Sequence, residues 1–257
     1  MRMLVAAIIC GLCLLLAAGC HRRTAPNPAP QELRILCGSS MSEPVQEIGR
    51  VFSEQHQAQV VYDMGGSETL LPKVVAGTTA DIFVCHDPFE EKVKDAGKWA
   101  GSAAVGALRP VVMVRPGNPR GIRTIEDLAK PDVQIGIGDP RYSTCGQMFV
   151  DMLDKKNLRQ PVMDRVKLQA RTHVEIANGA IAGPLDVVVV WNYVAVMYKG
   201  RLEVVETGER YEDVRVTVVG LNQAAHPALR DAFLEMCRSP AVRQTFERHG
   251  YTPGREP

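Results

Sequence analysis

Aromatic residues are scarce in this chain, 5% of 257 positions, and neither sign of charge prevails, with 30 Lys+Arg against 29 Asp+Glu. A formal net charge of +1 leaves no long-range field to gather a polyanion, which argues against nucleic acid as a partner. Past residue 20 no apolar run approaches the roughly 20 residues that a membrane-spanning helix requires. Cysteine is also sparse: Cys37, Cys85, Cys145 and Cys237 are the only ones beyond position 20, too scattered for a disulfide framework, although one bridge is open to an exported protein. What is present is an ordinary 46% of hydrophobic residues, with 22 Gly and 17 Pro, in a chain long enough for one large or two modest domains. A globular, core-forming protein is expected.

The first residues read as a processing signal: Arg2, an apolar stretch from Leu4 to Leu16, then Ala17, Ala18, Gly19 and Cys20. The run Leu16-Ala17-Ala18-Gly19-Cys20 resembles the lipobox of bacterial lipoproteins, which implies cleavage after residue 19 and a lipid on Cys20. A plain signal peptide or a short membrane anchor is the alternative. Residues 20–32, polar and Pro-rich after Cys20, are expected to form a flexible tether. Removing residues 1–19 takes away Arg2 and no acid, so the 30 Lys+Arg fall by one to match the 29 Asp+Glu. The expected mature protein is formally neutral, exported, and anchored to the membrane through Cys20.

From residue 33 the pattern alternates. Strands are predicted at 33–37, 58–64 and 81–85, each followed by a helical pattern at 42–55, 68–76 and 88–96. The stretch 103–115 is too long and too β-rich for one strand and reads as a crossing between domains. A second alternating set follows: helix 124–130, strand 133–137, helix 146–156, strand 165–168, helix 173–181 and strand 186–191. Another β-rich stretch at 213–219 precedes helices at 226–237 and 239–249. Strand and helix in turn imply an α/β fold of two lobes, each a mostly parallel sheet flanked by helices. The expected division is 33–106 plus 220–257 for lobe I and 107–219 for lobe II, joined by a two-crossing hinge.

Four strand-to-helix junctions carry small or hydroxyl residues: Gly38-Ser39-Ser40, Gly65-Gly66-Ser67, Tyr142-Ser143-Thr144-Cys145-Gly146 and Thr172-His173. Free N–H groups at a helix start, the helix dipole and the close approach that Gly permits together make an anion site. In an open α/β sheet such loops gather at the carboxyl ends of the strands. The plainer role of any one Ser or Thr here is a helix cap. A hydroxyl can also do both, accepting from the helix and donating to an anion.

The segments 38–44 (Gly-Ser-Ser-Met-Ser-Glu-Pro), 65–70 (Gly-Gly-Ser-Glu-Thr-Leu), 80–84, 139–147 and 186–195, in that order, resemble the periplasmic molybdate-binding proteins of bacterial ABC importers, a type II solute-binding family. The likeness spans residues 33–250. It implies a periplasmic-binding-protein-like fold, a monomer, and one oxyanion, molybdate or tungstate, held between the lobes by hydroxyls and N–H groups without a cation. It also implies no cofactor, and delivery to a permease driven by an ATPase. Position by position, Ser40 and Ser67 match the family's two loop serines, and Cys145 and Val174 match backbone donors. Trp191 stands where the family has a ligand-binding tyrosine, which Tyr193, two residues on, could replace. A site made only of neutral donors has no acceptor for the proton of hydrogen phosphate, so fully deprotonated tetrahedral oxyanions are expected.

Two rival readings use the same region. Cys37, Cys85, His86 and Cys145 could hold a soft metal such as zinc or copper, or bind another small anion, although their spacing matches no metal signature. Cys145 with His173 and Glu175 could be sketched as nucleophile, base and orienter, but without any local signature of such an enzyme. His173 reads more simply as a helix-start or surface residue, and Glu68 and Asp186 as solvated or capping acids.

Overall fold

A computed structural model of the chain describes residues 31–253; the expected signal, Cys20 with its expected lipid, and most of the expected tether lie outside the described residues. The elements in chain order are β1 (Glu32–Gly38), α1 (Ser42–His56), β2 (Gln59–Gly65), α2 (Ser67–Val75), β3 (Ile82–His86), α3 (Phe89–Asp95) and β4 (Trp99–Leu108). They continue with β5 (Pro110–Val114), β6 (Ile135–Gly138), α4 (Thr144–Lys155), α5 (Arg159–Met163), β7 (Val166–Ala170), α6 (His173–Ala182) and β8 (Val187–Trp191). The last are α7 (Tyr193–Met197), β9 (Glu203–Val205), β10 (Val214–Leu221), α8 (Pro227–Cys237) and α9 (Pro240–Arg248). Among the described residues, no helix is long and apolar enough to cross a membrane.

Two five-stranded sheets result, in the orders β2-β1-β3-β10-β4 and β7-β6-β8-β5-β9. Each has one reversed strand. In the first, β1 is parallel to β2 and β3, while β10 runs against both β3 and β4. In the second, β6 is parallel to β7 and β8, while β5 runs against β8 and β9. The reversed strand is in each case the first one laid down after the chain arrives from the other sheet. A strand entering across the hinge adds to its sheet by direct antiparallel pairing, with no crossover helix.

Helices cover both faces of both sheets, which is why β3, β6 and β8 are buried along their whole length. Leu33, Ile35, Val84, Val105 and Val216 pack with Phe52 of α1 and with Phe233 and Phe246 of the C-terminal helices. Leu36, Phe83 and Val219, on the opposite face, meet Leu70, Val74 and Val93 of α2 and α3. In the second sheet Ile135, Ile137, Val187 and Val189 meet Phe149 and Leu153 of α4.

The sheets divide at Arg109 and at 206–213, not at 106/107 and 219/220. Strand β4 continues through Leu108, and β10 pairs with β3 and β4 of the first sheet. An apolar strand pattern announces a strand but not its partner, and 213–219 is as plausible on either side of a hinge. The two crossings lie side by side, with Arg109 Nε 3.6 Å from the Asp213 carboxylate. The C-terminus closes on the first sheet, where Thr252 and Ala107 exchange backbone hydrogen bonds of 2.9 and 3.0 Å.

Candidate functional site

Six parallel strands, three from each sheet, end at one place. Gly38, Gly65 and His86 close β1, β2 and β3; Gly138, Ala170 and Trp191 close β6, β7 and β8. The residues at or just after these ends surround a cavity of about 290 Å³. The first lobe supplies residues 38–41, 65–69 and His86; the second supplies 142–144, 171–173 and Trp191. The cavity thus lies where the topology of open α/β sheets puts ligands.

Ser67 is the first residue of α2, with Gly66 as N-cap and no side-chain cap bond. Its side chain is 2% exposed, and its Oγ has no hydrogen-bond partner. A buried hydroxyl left unpaired costs about 1 to 3 kcal/mol, so its retention at a cavity wall calls for a reason beyond packing. Gly38 makes the placement possible, because a Cβ there would come 2.9 Å from Ser67 Oγ. Ser40 is half-buried on the same wall, and its carbonyl accepts a hydrogen bond from the Tyr251 hydroxyl.

The second lobe's hydroxyls are arranged differently. Ser143 caps α4 by accepting from the Gly146 N–H at 3.3 Å, and Thr172 caps α6 by accepting from the Glu175 N–H at 3.3 Å. The N–H groups of Cys145 and Val174 fall in the first turns of these helices, ahead of any intrahelical bond, and are free to donate. The Cys145 side chain is fully buried behind the wall. The Val174 side chain, 38% exposed, lines a neighbouring hollow of about 410 Å³ together with Tyr193. That hollow shares Ser39 and Ser40 with the cavity.

Of the six residues singled out from sequence, the structure brings Ser40, Ser67 and Trp191 together around one cavity. Tyr193 does not take over the position of Trp191. Its ring stacks on Tyr251 at 6.0 Å on the side of the second hollow.

The sequence reading missed much of what surrounds Trp191. His86 and His173, each 6% exposed, flank its indole with ring centroids 5.9 Å away. His173 opens α6 as expected but is buried, and its Nδ1 has no partner. Burial pushes His173 down to about 3, with His86 adding to the effect, and burial lowers His86 as well. Both imidazoles are therefore neutral near pH 7. The wall is not free of charge either: Arg171 lies over the Tyr142 ring at 4.3 Å, and Glu68 faces the cavity with its carboxyl raised by burial. His86 and Arg171 were legible in principle, since each sits at the carboxyl end of a parallel strand.

The rival constellations do not assemble. Cys37 pairs in register with Val84, so Cys85, the next residue, points to the other face of the sheet. The two cysteines accordingly fall in different cores and are unbridged. Among the described residues no group of three or more His, Cys, Asp or Glu converges to hold a metal ion. The Cys145 thiol is pushed well up by burial, which removes the thiolate a nucleophile needs. Asp186 is neither solvated nor a cap: 5% exposed, it binds Arg115 at 2.9 Å, Arg120 at 3.0 Å and the Gln134 N–H at 3.0 Å.

Two sheets joined by two adjacent crossings, with one polar cavity at the meeting of their strand ends, define a two-lobed binding protein. The chain belongs to the bacterial extracellular solute-binding protein family, whose model matches residues 33–252. The family binds solutes, so the chain is a binding protein and not an enzyme. Molybdate-binding protein ModA of Mycobacterium tuberculosis is 24% identical over 231 residues, which cover 88% of this chain and 86% of that protein. The sulfate-binding protein SubI of the same organism superposes with a TM-score of 0.72 at 18% identity, over 88% of each chain. The periplasmic molybdate-binding protein of Azotobacter vinelandii gives 0.71 at 17% identity, over 87% of this chain and 100% of that one. At such identities the structural likeness is one of fold.

Proposed function

We propose that the chain captures a tetrahedral oxyanion in the cavity between its lobes, outside the cytoplasm, and hands it to the permease and ATPase of an ABC importer. The observation that carries this reading is the Ser67 hydroxyl, buried, unpaired and facing a cavity rimmed by helix starts. Ser40 and Ser67 donate from the first lobe, and the N–H groups of Cys145 and Val174 donate from the second. Ligand then favours the closed form, because only there do both lobes reach it. Molybdate is the member that the resemblance and the molybdate-binding relatives favour, and tungstate is added by the resemblance alone. Trp191 in place of a tyrosine exchanges a hydroxyl donor for an indole N–H and narrows the cavity. Lipid on Cys20 would hold the protein at the membrane as a monomer, a reading that rests on sequence alone.

The test is thermal melting of the full chain with molybdate, tungstate, sulfate or phosphate. At a hundred times the dissociation constant, a ligand specific to the native state adds about 2.7 kcal/mol. A shift with at least one oxyanion, lost in Ser67→Ala, supports the reading. No shift with any of the four contradicts it.

A further inference from the structure

The cavity wall also carries a hydrogen-bond acceptor. His86 Nδ1 lies 2.8 Å from the Asp87 carbonyl oxygen. A carbonyl can only accept, so in the neutral ring Nδ1 holds the proton and Nε2 holds the lone pair. Nε2 makes no hydrogen bond within the protein and is not among the buried unpaired atoms, so on a ring only 6% exposed it opens toward the cavity that His86 lines. Phe89 and Trp191 meet the ring edge-on at 5.3 and 5.9 Å and hold its orientation.

Resting on the oxyanion reading, we infer that His86 Nε2 is the specificity-determining acceptor of the cleft, taking the proton of a hydrogen-bearing oxyanion, free monohydrogen phosphate. A donor-only wall rejects such an ion because its O–H finds no partner, and an unpaired polar group in a desolvated site is costly. With His86 in place, a phosphate brings the proton that bridges its oxygen to Nε2. Molybdate and sulfate carry none at neutral pH, so an oxygen facing Nε2 requires a proton from solvent. Their binding is thus coupled to proton uptake, whereas that of monohydrogen phosphate is not.

The other charged groups around His86 are accounted for. Asp87 is paired with Arg215 at 3.4 Å, and Glu90, beside Phe89, is held by Ser102 at 2.7 Å and Lys94 at 3.4 Å. Glu68 of the first lobe, and Arg171 and the neutral His173 of the second, also line the cavity. Burial of His86 opposes its protonation in the ligand-free state.

The experiment is calorimetric titration of the full chain with molybdate, sulfate, inorganic phosphate and glycerol phosphate between pH 6 and 8.5, repeated for His86→Phe and His86→Gln. Phe keeps a ring and removes the acceptor; Gln restores one through its amide oxygen. The expected result is that phosphate binds within tenfold of molybdate or tighter at pH 7.5 and changes little up to pH 8.5. Molybdate and sulfate should weaken as pH rises, approaching tenfold per unit for one proton taken up. His86→Phe should cost phosphate at least tenfold and flatten the molybdate profile, with His86→Gln recovering most of the phosphate affinity. Glycerol phosphate, whose phosphoryl group is a proton-free dianion above about pH 7, should follow molybdate and weaken as pH rises, and binding that stays level with inorganic phosphate up to pH 8.5 would contradict the proton-accepting role. Molybdate or sulfate binding without pH dependence, with phosphate excluded, overturns the acceptor role and leaves the oxyanion reading standing. Binding of none of the four overturns both.

Discussion

The two lobes present similar sequences to the cavity and use them differently. In the second lobe Ser143 and Thr172 are spent on their own helices, each accepting an N–H three residues on. In the first lobe Gly66 holds the N-cap position, and Ser67, the first residue of the helix, caps nothing. A hydroxyl committed to a cap contributes to stability whether or not ligand is present, while an uncommitted one contributes only when a ligand arrives. On this account the first lobe supplies specific side-chain donors, and the second supplies helix-start N–H groups and the Trp191 wall.

The sharpest way to separate scaffold from site is a pair of glycines. A Cβ at Gly146 would collide with the carbonyl oxygen of Gly138, backbone against backbone, where α4 seats on the end of β6. Gly146→Ala should therefore cost about 3 kcal/mol or more in urea denaturation. A Cβ at Gly38 meets instead the flexible end of Met41 and the Ser67 hydroxyl. Gly38→Ala should cost roughly 1 kcal/mol of stability while weakening oxyanion binding severalfold, because it displaces Ser67. Equal losses of stability in the two variants would break the contrast.

Next in size is Ser67→Ala, for which the lost hydrogen bond to a charged ligand corresponds to about 1.5 to 3 kcal/mol of affinity. Because its Oγ is buried and unpaired without ligand, the same change should leave the ligand-free melting temperature unchanged or raise it. The acid limb of stability comes third. His173 is held down to about 3 in the folded chain, against an ordinary value near 6.5 in the unfolded one. Between those values the unfolded chain binds the extra proton, so stability is full above pH 6.5 and falls as pH drops. By pH 5 the loss is about 2 kcal/mol, read as the difference between the native chain and His173→Phe in urea titrations at pH 8 and 5. The lowered His86 acts in the same direction. The smallest effect belongs to the caps: Ser143→Ala and Thr172→Ala should each cost about 1 kcal/mol of stability.

Much of this was legible in the sequence. Short apolar runs punctuated by helix-period segments located six parallel strands within a residue or two, and Ser40, Ser67 and Trp191 were singled out from loops at their ends. The partner of β10 was not legible, because alternation specifies a strand and only tertiary register assigns it to a sheet. The separation of Cys37 from Cys85 depended on which residues lie opposite in β1 and β3, a register that sequence spacing does not contain. The short β9, α5 and α7 carry too few residues to produce a periodic signal. His86 and His173 escaped for a different reason. Each was weighed against a metal or a nucleophile rather than against its neighbours, and only the fold brings both to the same indole. Whether Ser67 caps its helix or waits for a ligand was equally open until the Gly66 turn was seen.

The most direct test of the account is calorimetric titration of molybdate and phosphate into the native chain and Ser67→Ala, with ligand-free melting of both. The account predicts oxyanion binding by the native chain, at least tenfold weaker binding by the variant, and no loss of ligand-free stability. Unchanged affinity in Ser67→Ala would contradict it, and would take the ligand away from the one unpaired hydroxyl on which the cavity reading rests.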